Sequence, residues 1–369
     1  MKFSINREDI LSVLQLLAGV VERRQTLPIL SNALLSLSEG VLSVIGTDLE
    51  VEIRGQVRPE TVEQEGSVTV PAKKLLDIVK SLEADALVDF QQDGDRMLVK
   101  SGRSRFTLST LPAVEFPNVD DSDDQSVSFA ISQTRLKSLI DRTSFSMAQQ
   151  DVRFYLNGML FEITAEHLRL VATDGHRLAI TTEPLSSGAN QTHQAIVPRK
   201  GVSVLSKLLV DSDQTLNMQL GSNHIRVQTG DYQFISKLVD GKFPEYERVL
   251  PAGLTKFMVA ERESLKQSFN RAAILSNEKY RGVRVHIDQG ILKITANNPE
   301  QEQAEEELTV QYEGDAVEIG FNVSYVLEVL NNVRSEKVRF SLNDGNSSSL
   351  IQAEEGDDQS RYVIMPMRL

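Results

Sequence analysis

The sequence contains no cysteine and no tryptophan, and aromatic residues make up only 6% of its 369 positions. Without cysteine there are no disulfides, thiolate zinc sites, iron–sulfur clusters or Cys nucleophiles, which fits a reducing cytoplasm. No apolar run approaches the ~20 residues that span a bilayer. The opening Met1-Lys2-Phe3-Ser4-Ile5-Asn6-Arg7-Glu8-Asp9 places charge where a signal peptide needs an apolar core. A cytoplasmic chain without a membrane partner is expected. Glycine-rich phosphate loops and a Gly-x-Ser-x-Gly elbow are absent. The histidines His167, His176, His193, His224 and His286 form no pair at ligand spacing. Asp174-Gly175-His176-Arg177 holds an Asp and a His but has no nucleophile motif nearby. The acidic run Glu300, Glu302, Glu305, Glu306, Glu307 reads as a solvated or ion-pairing face rather than a set of metal carboxylates. No catalytic residue, metal or cofactor is expected.

What the sequence does contain is repetition. Phe3-Ser4-Ile5, Phe129-Ala130-Ile131 and Phe257-Met258-Val259 each lead into apolar residues at helical spacing. These are Ile10, Leu14, Leu17 and Val21, then Leu136, Leu139 and Ile140, then Leu265, Phe269 and Ala272. Gly46-Thr47-Asp48, Ala172-Thr173-Asp174 and Ala296-Asn297-Asn298 each close an alternating stretch. Val70-Pro71-Ala72-Lys73-Lys74-Leu75 matches Val197-Pro198-Arg199-Lys200-Gly201-Val202, with Ile319-Gly320-Phe321-Asn322 in the equivalent place. Gly102-Arg103-Ser104-Arg105-Phe106, followed by Phe116-Pro117, parallels Gly230-Asp231-Tyr232-Gln233-Phe234, followed by Phe243-Pro244. Signals recurring in register define three units, 1–125, 126–254 and 255–369. Each is expected to run strand, helix, three strands, helix, three strands, an α+β class. Ser38-Glu39-Gly40 marks a hairpin turn, and Pro71 and Pro198 suit the first turn of a helix. Asp120-Asp121-Ser122-Asp123-Asp124 and Pro251-Ala252-Gly253 read as linkers.

A net charge of −13, from 39 Lys plus Arg and 52 Asp plus Glu, argues at first against a nucleic-acid partner. Its distribution argues otherwise. Residues 1–125 hold 13 basic and 21 acidic side chains, residues 126–254 hold 13 and 12, and residues 255–369 hold 13 and 19. The basic count is constant and only the acids vary. Lys73 and Lys80 share one side of the helix expected from Pro71 to Leu82, as Arg199, Lys200 and Lys207 do in the helix from Pro198. The first helices carry Arg7, Arg23 and Arg24; Arg135, Lys137 and Arg142; and Arg262, Lys266 and Arg271. Singly, each is the wet face of an amphipathic helix. If equivalent helices face one space, that space is basic and the acids lie outside. The tail Tyr362-Val363-Ile364-Met365-Pro366-Met367-Arg368-Leu369 is apolar where termini are usually polar. Two readings stay open for it: a final buried strand, or a Met-lined groove for partner peptides.

Several segments together carry a resemblance to a known family. They are Leu27-Pro28-Ile29-Leu30-Ser31-Asn32, Gly46-Thr47-Asp48-Leu49-Glu50, Ser101–Phe106, Gln150–Gly158, Ala172–Leu178, Ser236–Gly241, Ala273–Gly282 and Met365–Leu369. Over essentially its full length the chain resembles the bacterial sliding clamps, the beta subunits of DNA polymerase III. The resemblance implies three tandem DNA-clamp domains and a head-to-tail homodimer, with helices lining a ring and sheets outside. Double-stranded DNA threads the hole, and no cofactor is needed. DNA contacts fall on Arg24, Lys73, Gln150, Phe154 and Tyr155. The dimer interface pairs Phe106 and Leu108 with Ile274 and Leu275, and Lys74, Arg103 and Arg105 with Glu300, Glu305 and Glu306. A peptide groove falls on Leu156, Thr173, Gly175, His176, Arg177, Leu178, Pro244, Arg248, Val249, Ser348, Val363, Met365, Pro366, Met367 and Arg368. There the replicative polymerase, the clamp loader, and translesion and repair proteins would dock short motifs. Two rival readings remain: an enzyme using the acidic cluster, and a peptide-binding scaffold that does not encircle DNA.

Overall fold

A computed structural model describes residues 1–21, 27–117, 126–356 and 359–368. Arg23, Arg24, Leu369 and the run Asp120–Asp124 lie outside the described residues. The first copy of the repeat runs β1 (Lys2–Asn6), α1 (Arg7–Leu17), β2 (Asn32–Ser38), β3 (Val41–Thr47), β4 (Val51–Val57), β5 (Thr61–Gln64), β6 (Gly66–Pro71), α2 (Ala72–Ser81), β7 (Leu87–Asp93), β8 (Arg96–Ser101) and β9 (Ser104–Ser109). The second runs β10 (Val127–Ser132), α3 (Gln133–Ser144), β11 (Gly158–Ile163), β12 (His167–Thr173), β13 (Arg177–Pro184), β14 (His193–Pro198), α4 (Arg199–Leu208), β15 (Thr215–Leu220), β16 (His224–Thr229) and β17 (Tyr232–Lys237). The third runs β18 (Lys256–Glu261), α5 (Arg262–Ala273), β19 (Gly282–Asp288), β20 (Ile291–Asn297), β21 (Gln303–Thr309), β22 (Val317–Asn322), α6 (Val323–Asn332), β23 (Lys337–Leu342), β24 (Ser349–Ala353) and β25 (Arg361–Ile364).

The copies thus carry four strands between their helices, five in the first, where three were expected. The additional strand in each copy runs into the second helix without a loop. Pro71 and Pro198 are its last residues rather than the first turn of the helix. Both β6 and β14 are terminal strands of their sheets, where a missing N–H breaks no ladder bond. The expected β2–β3 turn is present, with Glu39 at φ 53° and Gly40 at φ 73°. A pair of left-handed residues matches the twist of a two-residue hairpin.

Two compact units form, residues 1–136 with 200–238 and residues 137–199 with 239–369. The first holds a five-stranded sheet, β5-β1-β7-β8-β9, and an eight-stranded one, β10-β15-β16-β17-β4-β3-β2-β6. The second holds β14-β11-β12-β13-β25-β24-β23-β18 and the four-stranded β21-β20-β19-β22. Within the first unit, Phe3 and Phe90 face each other across the β1–β7 register and stack at 4.8 Å. Ile10, Val13, Leu14 and Leu17 of α1 and Leu75, Leu76 and Val79 of α2 are buried. Gly55 lets β4 approach α1, since a Cβ there would lie 2.5 Å from Val13 Cγ1. Asn6 and Asn322 cap α1 and α6 by accepting from Glu8 N and Ser324 N, both at 2.9 Å.

Two of the basic residues assigned to a wet helix face have a different job. Arg7 donates to Val79 O and Lys80 O, both at 3.1 Å. Arg262 donates to Leu330 O at 3.1 Å and Ser335 O at 3.0 Å. Each opens the first helix of its copy and satisfies carbonyls at the end of the second, which a helix leaves unpaired. In the second copy the buried Gln133 stands at this place, and its side chain accepts from Val210 N at 3.2 Å.

Arg262→Ala is expected to lower stability by about 1.5–3 kcal/mol, the usual cost of losing hydrogen bonds to a charged donor. Arg262→Lys recovers only part, because an ammonium lacks the fork that spans two carbonyls. Urea denaturation followed by circular dichroism measures both.

Candidate functional site

The apolar tail forms the final buried strand that one of its two readings expected. β25 pairs antiparallel with β13, Leu178 opposite Val363 and Arg177 opposite Ile364. Beyond it, Met365 N donates to His176 O at 2.9 Å and Met367 N to Gly320 O at 2.8 Å. Side chains alternate across the sheet, so Leu178, Ile180 and Val363 share one face with Leu160, Val171, Ile196, Phe243 and Tyr246. Tyr155, Val249, Leu250 and Leu350 pack against this cluster and stay partly accessible. Alongside lies a cavity of 280 Å³ lined by His176, Lys279, Tyr280, Asn322, Tyr325, Met365, Pro366 and Met367. The pair of surfaces offers apolar floors beside exposed polar edges, a form suited to a short peptide with apolar anchors.

The remaining groove residues take graded positions. Pro244, Arg248 and Arg368 are exposed, Thr173 and Ser348 are half-buried, and Leu156 is buried. Thr173 Oγ1 donates to Arg177 O (2.6 Å) and accepts from Gly175 N (3.0 Å), while Asp174 Oδ1 accepts from His176 N (2.9 Å) and Arg177 N (3.0 Å). Gly175 has φ +88°, and a Cβ there would lie 2.9 Å from Arg153 Nη1. Arg177 departs from expectation: it supports the groove and does not line it. Its guanidinium is buried, bound to Asp174 (3.1 Å), Glu328 and Phe145 O (2.7 Å), and lies 4.4 Å from the Tyr325 ring centre. Desolvation lowers its pKa, and Asp174 opposes that shift. The 3-10 turn Tyr246–Val249, which carries Arg248 and Val249, is anchored from beneath. Tyr246 Oη donates to Glu162 at 2.8 Å and accepts from Arg169 at 3.0 Å. Burial pushes the phenol up to about 12.

Of the DNA set, Arg24 lies outside the described residues, and Lys73 is exposed on α2. Gln150 (φ 55°) and Phe154 sit on the loop 148–157. That loop is closed by Ala148 N to Leu156 O (3.0 Å), Asp151 N to Asn157 Oδ1 (2.9 Å) and Asn157 Nδ2 to Asp151 O (2.8 Å). It presents Phe154, 56% exposed, and Val152, 95% exposed. Tyr155, of the same set, packs against the apolar cluster and stays partly accessible. Lys279, Tyr280, Asn322 and Tyr325 were not foreseen in the site. Lys279 and Tyr280 belong to a segment that carried the resemblance, which is the one signal that could have found them.

The interface set divides between two strands that end their sheets among the described residues. β9 ends the five-stranded sheet and carries Arg105 and Phe106, with Arg103 in the turn before it. Phe106 is half-buried and Leu108 is already buried in its own sheet, paired with Met97. Lys74 is exposed on α2. β21 ends the four-stranded sheet, near Ile274 (75% exposed), the half-buried Leu275 and Glu300, which share the lining of a 430 Å³ hollow. Glu305 pairs with Lys293 at 2.6 Å. Glu306, expected to face a second chain, turns toward its own α5. Arg271 there grips both of its oxygens, at 2.8 and 2.6 Å, and holds its carboxyl below the usual range. Among the described residues, no group of three His, Asp or Glu could hold a metal, and no helix is long and apolar enough to cross a membrane.

Comparison with known proteins agrees with this geometry. Residues 1–120, 130–245 and 247–368 match the N-terminal, central and C-terminal domain models of the DNA polymerase III beta subunit. The chain therefore consists of three tandem beta-clamp domains and belongs to the DNA polymerase III beta subunit family. Full-length relatives named beta sliding clamp include those of Pseudomonas aeruginosa, 57% identical over 369 residues, and Escherichia coli K12, 54% identical over 370; all of each chain is covered. A crystal structure of the P. aeruginosa beta subunit matches with a TM-score of 0.96 at 55% identity, covering all of both chains. The Caulobacter crescentus clamp with polyethylene glycol bound to its putative beta-motif tethering region matches with a TM-score of 0.94 at 36% identity, covering 100% of this chain and 99% of that one.

Acid should loosen the loop 148–157. Arg153 bonds hold the Asp151 pKa at about 2, below its ordinary 3.8. A depressed carboxylate pKa contributes order that is full above 3.8 and lost as pH falls through about 2. Hydrogen exchange of residues 148–157 should rise within that window, and Asp151→Asn should show the faster exchange already at pH 7.

Proposed function

We propose that two copies of this chain close head to tail into a ring, a non-catalytic clamp that encircles duplex DNA and confers processivity. The observation that carries this reading is the strand register. β4 of the first copy pairs with β17, the last strand of the second, and β13 pairs with β25, the last strand of the third. The corresponding strand of the third copy is β21, and the last strand of the first is β9. Among the described residues both keep a free edge. A second chain supplies the missing partner for each. Carrying the β4–β17 register over sets Phe106 opposite Ala304 and Arg105 opposite Glu305. Two such heterologous contacts close a ring of six copies, with domain borders near residues 125 and 254.

Helices line the hole and sheets face out. Lys and Arg there hold phosphates without reading bases, so the duplex slides; Arg24, Lys73, Gln150, Phe154 and Tyr155 are the contacts. The −13 net charge is carried by the exterior. The groove of Leu178, Val249, Val363 and Met365–Met367 takes short motifs from the replicative polymerase, the clamp loader, and translesion and repair proteins in the cytoplasm.

Ile274→Ala with Leu275→Ala should sediment as a monomer; an unchanged dimer mass overturns the interface. Arg105→Glu and Glu305→Arg should each weaken the dimer, and the double exchange should restore it. Loaded on a nicked circle, the protein should stay bound until the circle is linearised. Retention on free-ended DNA would count against encirclement.

A further inference from the structure

The apolar floor of the groove continues across its sheet. Leu178, Val363, Leu350, Ser341 and Phe257 stand opposite one another on β13, β25, β24, β23 and β18, forming a single cross-strand row. Side chains in such a row share one face of the sheet. Leu178 and Val363 belong to the groove cluster, and Leu350 packs against it. Ser341, small and 3% exposed, stands between Leu350 and Phe257. The row ends on the terminal strand of the sheet, where Phe257 is 49% exposed.

The first copy shows what this edge can carry. Arg7 and Arg262, which do the same work in their copies, set Lys2 in the place of Phe257. There β5 lies along β1, with Lys2 opposite Gln64 and Phe3 opposite Val62, and Lys2 Nζ meets Glu63 at 2.6 Å. Among the described residues, the third copy meets its own edge at a single bridge. Val259 N donates to Gln311 O and Gln311 N to Val259 O, both at 2.9 Å. The chain then turns off, with Tyr312 Oη donating to Asp315 O at 2.5 Å. Continued as a strand, it would set Glu313 opposite Phe257. A hollow of 590 Å³ opens there instead, its lining including Thr255, Phe257, Gln311, Tyr312 and Glu313.

We propose that the outer face of this sheet receives one extended partner segment at two points. A short motif sits in the groove, and beyond it a large apolar side chain packs on Phe257, next to a basic residue that meets Glu313. The inference rests on the groove reading above. The row is continuous with the groove, and the exposed acids Glu313 and Asp315 at its far end suit a basic residue. The first copy fills the matching place with an extended segment held by a Lys–Glu pair. From Val363 to Phe257 is three strand spacings, about 14 Å, which an extended segment spans in about four residues. An even number of residues also returns the second anchor to the face of the first.

The test is fluorescence anisotropy on the full-length protein with three labelled probes. The short one is a hexapeptide with two adjacent large apolar residues. The two long ones add a four-residue Gly/Ser spacer and then a Trp–Arg pair, at the N-terminus in one and the C-terminus in the other. One long probe should bind about tenfold more tightly than the short one, the order of a single tethered aromatic contact. Phe257→Ser should remove that gain and leave short-probe affinity unchanged, which also shows that the variant is folded. Glu313→Lys should remove part of the gain, and a probe ending in Trp–Glu should recover it. Equal affinity of all three probes overturns the inference, as does a gain that survives Phe257→Ser. Short-probe binding that ignores Val249→Asp with Met365→Asp overturns the groove reading, and the inference falls with it; the short probe alone tells the two failures apart.

Discussion

A strand edge must be paired, covered or charged, and the whole architecture follows from how this chain meets that demand. Each copy of the repeat folds with one edge left over on its last strand and another on the strand after its first hairpin. Within the chain these edges satisfy one another, β17 on β4 and β25 on β13. Two continuous eight-stranded sheets result, each built from two copies. Copies joined head to tail in an open line, whatever their number, leave one edge at either end, here β9 and β21 among the described residues.

That constraint also positions the candidate surface. β25 is both the structural partner of β13 and the floor of the groove, because the two faces of a sheet alternate along its strands. Ile364 and Tyr362 join one buried cluster while Val363 joins the other. Arg177 and Tyr246 work beneath the surface, the first holding the 173–177 loop, the second holding the turn that carries Val249. The groove is therefore shaped by buried polar contacts and exposes mainly apolar ones.

Much of this was legible in the sequence, and the rest was hidden for definite reasons. The repeat, the paired helices of each copy and the apolar tail were all readable, since apolar spacing is a local signal. The fourth strand was not, because it ends on the same prolines that looked like helix starts. Arg7 and Arg262 read as wet basic residues because the carbonyls they satisfy are 68 to 73 positions away in the chain. Glu306 was misplaced because only the strand register tells that it stands where the first copy has Gly55, on the helix side of its sheet. Phe154 and Tyr155 are sequence neighbours whose rings meet edge to face at 5.8 Å yet differ in exposure, a distinction that composition does not make. The acidic run, once read as one uniform face, separates into Glu305 outward and Glu306 inward.

The charges on the two open edges have a consequence for a protomer that is still alone. Exposed strands of this length invite pairing with any similar strand, the first step toward aggregation. Here β9 laid on another β9 would bring Arg103 and Arg105 against their own copies, and β21 on β21 would stack Glu305 and Glu307 against glutamates. Homotypic pairing is repelled at both ends while the mixed pairing is attracted. On this physics the same few side chains would keep single chains apart.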